Sequence, residues 1–168
     1  NMIHIIIITF GISLLFPHET VKNLDIEKFM GRWYVISLIP NWIEKDATNS
    51  YDDYKLNDDG TVDITYHAIQ NNSKKQIKQK GIIDKNNPAK WEIKFIKPWV
   101  PFFKAPYEVI YIDKDYQNMA VGYPDNTFGW IMSRDTSIDS LSYAKILDEL
   151  ENKFGYSKEE FKKVLHDN

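Results

Sequence analysis

Three features of the chain predict an all-β fold: an eight-stranded antiparallel up-and-down β-barrel, preceded by a short helical turn and followed by one α-helix packed outside. Apolar residues alternate along most of the stretch from Arg32 to Arg134. Turn residues punctuate that alternation at short intervals, with no helical periodicity between them. The 168 residues also include 5 Trp, 10 Tyr and 9 Phe against 7 Gly, a supply of rings that a small domain spends on a β-rich core or on the lining of a cavity. The length suits one domain with a real core.

The elements follow in order. From Ile3 to Phe16 no charged residue occurs apart from His4, and Met2 reads as the natural start. Fourteen helical residues span about 21 Å, short of the roughly 30 Å of a bilayer core. The run suits the apolar region of a secretory signal. Residues 1–20 are therefore read as a signal or apolar N-terminal segment and 21–168 as the domain. The expected destination is secreted, periplasmic or a vacuolar lumen. With no cysteine in the chain, disulfides, thiolate chemistry and a cysteine-linked lipid anchor are excluded.

Asp25 then suits a helix N-cap, with Leu24 and Phe29 placed as a hydrophobic staple. Gly31 lets the chain swing from that turn into the first strand, and Trp33 enters the barrel floor. Six alternating runs follow: Trp33 to Ile39, Val62 to Ala68, Ile77 to Ile83, Trp91 to Phe95, Tyr107 to Tyr111, and Phe128 to Met132. Asn57-Asp58-Asp59-Gly60, Asn86-Asn87-Pro88 and Asp113-Lys114-Asp115-Tyr116 are the clearest turns between them. Asp52-Asp53 and Asp58-Asp59 read as strand-end and turn residues. Arg134, at the end of the last strand, is placed to reach over Trp33 and donate to carbonyls of the first turn. Ile138, Leu141, Ala144, Leu147, Leu150 and Phe154 then mark one face of a helix, capped by Ser137 and stopped by Gly155.

About eight up-and-down strands close into a barrel that side chains can fill or that can hold one small ligand. Inward tyrosines favour an open-mouthed cup, since each buried hydroxyl needs a partner. Lys plus Arg number 21 against 24 for Asp plus Glu, a formal charge of -3 without a basic run, so no nucleic-acid partner is expected.

Gly31-x-Trp33, Tyr107-x-Val109-x-x-x-Asp113-x-x-Tyr116 and Arg134, in that order, resemble the three signature blocks of the lipocalin family. Asp125 to Arg134 and Lys97 to Phe103 are similar to its bacterial lipocalin and apolipoprotein D branch. The resemblance runs from about Leu24 to Val164, and implies the barrel, a small hydrophobic ligand such as a fatty acid or lysophospholipid, and a ninth strand near Phe161-Lys162-Lys163-Val164.

Inward alternation places Val35, Ile39, Tyr54, Tyr66, Ile83, Trp91, Phe95, Val109 and Trp130 along the lining. Trp99-Val100-Pro101-Phe102-Phe103 reads as a hydrophobic lip for transient membrane contact. No catalytic residue, metal site or cofactor is expected, because no nucleophile elbow, His pair or phosphate loop occurs. His4, His18 and His166 lie toward the ends, leaving His67 alone in the strand region. Two alternatives stay open: a haem or tetrapyrrole binder using His67, and a structural or assembly protein whose barrel is filled by its own side chains or a partner. Asn71-Asn72-Ser73 fits a glycosylation sequon in a hairpin.

Overall fold

A one-turn helix, α1 (Ile26–Phe29), leads into eight consecutive antiparallel strands: β1 (Gly31–Leu38), β2 (Thr48–Leu56), β3 (Val62–Gln70), β4 (Ser73–Ile83), β5 (Lys90–Lys97), β6 (Ala105–Ile112), β7 (Asn118–Gly122) and β8 (Gly129–Ser133). The computed structural model describes residues 17–167. The apolar run read as a signal, Ile3 to Phe16, lies outside the described residues. After β8 come α2 (Ser140–Phe154), a single 3-10 turn at Lys158–Glu160 and a short β9 (Lys162–Lys163). Each strand pairs with the next, and β1 also pairs with β8, so the sheet closes on itself. β9 adds to β1 at Ser37 and Leu38.

Odd strands run from the floor, where α1 sits, to the open mouth. The loops β1–β2, β3–β4, β5–β6 and β7–β8 therefore share the mouth. At β3–β4 both Asn71 and Asn72 have φ above 50°, the twist that a two-residue hairpin demands and that asparagine tolerates.

Two apolar layers sandwich the barrel wall. Inside lie Phe29, Trp33, Val35, Tyr54, Trp91, Val109 and Met132. Outside, between the wall and α2, lie Ile36, Ile39, Ile110, Ile131, Ile146 and Leu150. A third group toward the mouth joins Tyr66, Ala68 and Ile77 with Phe95 and Ile43.

Four expectations need correction. Ile39, expected in the lining, packs in the outer layer. A β-bulge between Val35 and Ser37 inserts a residue, so the faces of the strand exchange beyond it. A second bulge between Val109 and Tyr111 sends Tyr111 outward in the same way. Asp52 and Asp53 stand in the middle of β2 rather than at its end, and strand alternation sends them to opposite faces. Finally, α2 is capped by Asp139, whose side chain accepts from Ser142 N, and not by Ser137. Its buried residues are Ile146, Leu150 and Phe154, and Leu141 is 82% exposed.

The chain upstream of residue 21 joins the packed body as well. Val21 N donates to Val109 O at 3.0 Å. The His18 ring is bonded through Nδ1 to Glu108 (2.7 Å) and through Nε2 to Asn126 (2.6 Å).

Candidate ligand-binding site

The floor of the barrel is built from the first turn. Asp25 caps α1 by accepting from Lys28 N, which directs Phe29 inward. Gly31 leaves the turn at φ +96°, a left-handed conformation that suits glycine. Trp33 then lies under Phe29, its Nε1 donating to Phe29 O at 2.8 Å. Arg134 covers the other face of the indole, 3.8 Å from the ring centroid. Its guanidinium donates to the carbonyls of Arg32 (2.7 Å), Lys28 (2.8 Å), Phe29 (3.2 Å) and Tyr116 (3.3 Å). Asp113 ties the neighbouring β6–β7 turn by accepting from Gln117 N and from Asn118 N and Nδ2. Tyr116 Oη accepts from Asp25 N. One residue fan thus fastens turn, first strand and last strand, and a cation on an indole is worth about 0.5–2 kcal/mol.

Above the floor the lower half of the barrel is packed with rings. Phe29 meets Trp33, Tyr54 and Trp91 at centroid separations of 5.4 to 5.5 Å. Tyr107 stacks on Trp91 at 4.8 Å, and its hydroxyl meets that of Tyr54 at 2.9 Å. Gly81 makes room for this stack, because a Cβ there would come within 2.9 Å of the Trp91 ring. Ile83 and Val109 pack against the same group.

The upper half is different. Tyr66 and Phe95 belong to the mouth cluster, and Trp130 packs at the edge of the inner layer. Trp130 Nε1 donates to Glu44 Oε2 at 2.8 Å, an acid brought in by the β1–β2 loop and held also by Asn41 Nδ2. Asp52 points inward from β2: its cross-strand partners Trp33 and Tyr66 are both inward residues, and Tyr54 Oη lies 3.4 Å from its Oδ2. Burial pushes the Asp52 carboxyl well above the usual range, and the charge of Glu44 adds to it. Burial likewise raises Glu44, against the bonds from Asn41 and Trp130. Burial also raises the phenols of Tyr66 and Tyr107. Asp52, Phe95 and Trp130 face inward yet are only partly buried, whereas Trp33, Tyr54, Trp91 and Val109 below are buried.

Of the nine lining residues expected from sequence, Tyr54, Ile83, Trp91 and Val109 stand in the packed lower half, Val35 midway, and Tyr66, Phe95 and Trp130 in the upper half. Ile39 stands outside. Sequence reasoning missed Glu44 and Asp52. The period-two pattern Ser50, Asp52, Tyr54 carried the signal for the second. His67 alternates with Tyr66 and so lies on the outer face, stacked on Tyr51 at 4.7 Å and 3.8 Å from Asp53; a haem in the cup would not reach it. Two surface grooves, about 630 Å³ along α2 and about 410 Å³ beside Glu19 to Asn23, lie outside the barrel and gather no such convergent groups.

At the mouth the lip is exposed, with Trp99 at 73%. Trp42 of the β1–β2 loop is 83% exposed at the same end. Phe103 touches Phe95 at 5.6 Å, joining lip to lining.

Residues 24–166 match the family model described as a lipocalin-like domain. Over 143 residues the chain is 31% identical to temperature-induced lipocalin-1 of Arabidopsis thaliana, covering 78% of this chain and 74% of that protein. Over 119 residues it is 32% identical to apolipoprotein D of Mus musculus, covering 68% of this chain and 58% of that one. Among solved structures it is similar to a major allergen of cockroaches, at a TM-score of 0.63 and 25% identity, covering 90% of this chain and 93% of the other.

Proposed function

This chain belongs to the lipocalin family, whose members bind small hydrophobic ligands, and from that premise we propose that its barrel binds and carries a lipid-like molecule, of the class of a fatty acid, a lysophospholipid or similar. The observation that carries the reading is the contrast between the two halves of the barrel: a floor sealed by buried rings and an upper half whose inward Asp52, Phe95 and Trp130 stay only partly buried. An alkyl chain entering there gains roughly 0.8 kcal/mol per buried methylene. About ten methylenes give some 8 kcal/mol gross, from which ordering the chain subtracts, so micromolar affinity is in reach. The role is binding rather than enzymatic.

Two further proposals go with it. The apolar N-terminal run serves as a secretory signal, delivering the protein to a secreted, periplasmic or vacuolar compartment. The lip at Trp99 to Phe103, with Trp42, makes transient contact with a membrane as ligand passes. The self-filled barrel remains the second reading, favoured by the ring packing of the lower half.

Titration with a long-chain lipid while following Trp fluorescence tests the main reading. Quenching is expected, with affinity weakened about tenfold or more in Trp130→Ala. Absence of quenching would favour the self-filled barrel, and an unchanged affinity in that variant would remove Trp130 from the lining.

A further inference from the structure

We propose that the polar end of the ligand is a hydrogen-bond-donating cation, a protonated amine on an apolar body, seated between the carboxylates of Asp52 and Glu44 and the hydroxyls of Ser50 and Tyr66. The inference rests on reading the barrel as a binding cup for a lipid-like molecule, and it ranks an amine above a fatty acid of the same length.

The carboxylates come from separate elements. Asp52 shares its strand face with Ser50 and Tyr54, and its Oδ2 has only the long contact from Tyr54. Glu44 reaches in from the mouth, with Oε2 bonded to Trp130 and Asn41. Among the described residues no protein donor meets Asp52 Oδ1 or Glu44 Oε1. Ile43, next to Glu44 in the chain, packs in the cluster of Tyr66, which stands across from Asp52, in keeping with the action of the Glu44 charge on Asp52.

Two acids alone would not make a site. The independent observation is a pair of hydroxyls on the same wall. Ser50 Oγ and Tyr66 Oη have no hydrogen-bond partner, although the residues are only 0% and 5% exposed. The Ser50 hydroxyl lies close enough to Tyr66 to favour the phenolate, but the two oxygens do not reach hydrogen-bonding geometry. An unpaired buried polar group costs about 1–3 kcal/mol, and native interiors carry few of them. Here Tyr66 stands directly across from Asp52 in the β2–β3 ladder.

The chemistry of the missing group follows. Ionised carboxylates only accept, while each hydroxyl oxygen accepts and its O–H donates. An ammonium brings three donors and a positive charge, so it meets the oxygens of the acids and of both hydroxyls together, leaving the hydroxyl protons to turn toward the ionised acids. A carboxylate end brings acceptors and negative charge against two acids. The cation acting on Glu44 is Lys75, and its Nζ is committed at the rim to the carbonyl of Ile43 and the side chain of Gln70. Burial and the repulsion from Glu44 hold Asp52 well above the usual carboxylate range, so without a counter-cation its neutral form is favoured, and a seated ammonium supplies the charge that favours the carboxylates.

Three probes of equal chain length test this: dodecylamine, dodecanol and dodecanoate, each titrated at neutral pH below its micelle concentration against Trp fluorescence. Dodecylamine is expected to bind at least about tenfold tighter than dodecanol, with dodecanoate weakest. Asp52→Asn with Glu44→Gln is expected to erase the preference for the amine and leave dodecanol binding in place. Dodecanoate binding as tightly as the amine, or a preference that survives both substitutions, overturns the inference while the cup stands. If none of the three binds, the cup reading falls and this inference with it. Should the double variant fail to fold, the wild-type protein still decides: its melting temperature must rise more with dodecylamine than with equimolar dodecanol, and an equal rise overturns the inference.

Discussion

His18 shows how one side chain outside the barrel governs the wall. Its Nδ1 faces a Glu108 oxygen and its Nε2 faces Asn126 Oδ1. The amide orientation of Asn126 is set by its own donation from Nδ2 to Phe154 O. Both ring nitrogens therefore point at acceptors, which only the doubly protonated imidazolium satisfies. Burial opposes that charge, but the bonds to Glu108 and Asn126 and the Glu108 charge outweigh it and raise the pKa above 6.5. A raised pKa contributes stability that is complete below pH 6.5 and is lost as pH rises through the folded value. Denaturant unfolding of wild type and His18→Ala at pH 6 and pH 9 should show a gap of about 3 kcal/mol at the lower pH, shrinking at the higher. An equal gap at both would mean that the ring is neutral throughout. The same scale explains which site residues sequence could reveal. Trp33 and Arg134 are legible only as a pair, since each alone reads as an ordinary core Trp or surface Arg, and it is their placement at the first and last strands that joins them. Asp52 was not, since an acidic pair reads by default as solvated and only its alternation with Ser50 and Tyr54 betrays its direction.

Elements were legible wherever their periodicity ran unbroken. β3, with Val62, Ile64, Tyr66 and Ala68 inward, keeps its register from end to end. β1 and β6 do not, because a bulge is an insertion of one residue that leaves no mark on composition. Ile39 and Tyr111 changed faces for that reason alone. The helix α2 was recognised as apolar on one side, but its stripe turns about Ile146, Leu150 and Phe154, with Leu141 off the contact. Two substitutions separate the stripes. Ile146→Ala, with the residue 0% exposed, should cost about 3 kcal/mol in urea unfolding, and Leu141→Ala should stay within about 0.5 kcal/mol. Equal costs would show that the helix sits rotated on the wall.

At the scale of the whole molecule, the polarity of the barrel is set by its two ends. The floor is a fan of hydrogen bonds about Arg134, and the mouth carries the exposed rings Trp42, Trp99 and Phe102. If the mouth meets membranes, phosphatidylcholine vesicles with brominated chains should quench wild-type Trp fluorescence. Replacing all three rings by Ser should weaken vesicle binding by at least about tenfold while leaving detergent-free ligand affinity intact. Undiminished vesicle binding would sink the membrane role of the lip. Closure of the sheet has a consequence for how the chain reaches this state. Arg134 clasps a carbonyl 102 residues back in the sequence, and β1 meets β8 only when nearly all the strands between them are aligned. Such a late, non-local contact slows folding toward the millisecond-to-second range typical of β architectures. Until it forms, the nascent sheet presents two bare edges to its neighbours, and speed of ring closure then decides how much of the newly made protein escapes aggregation.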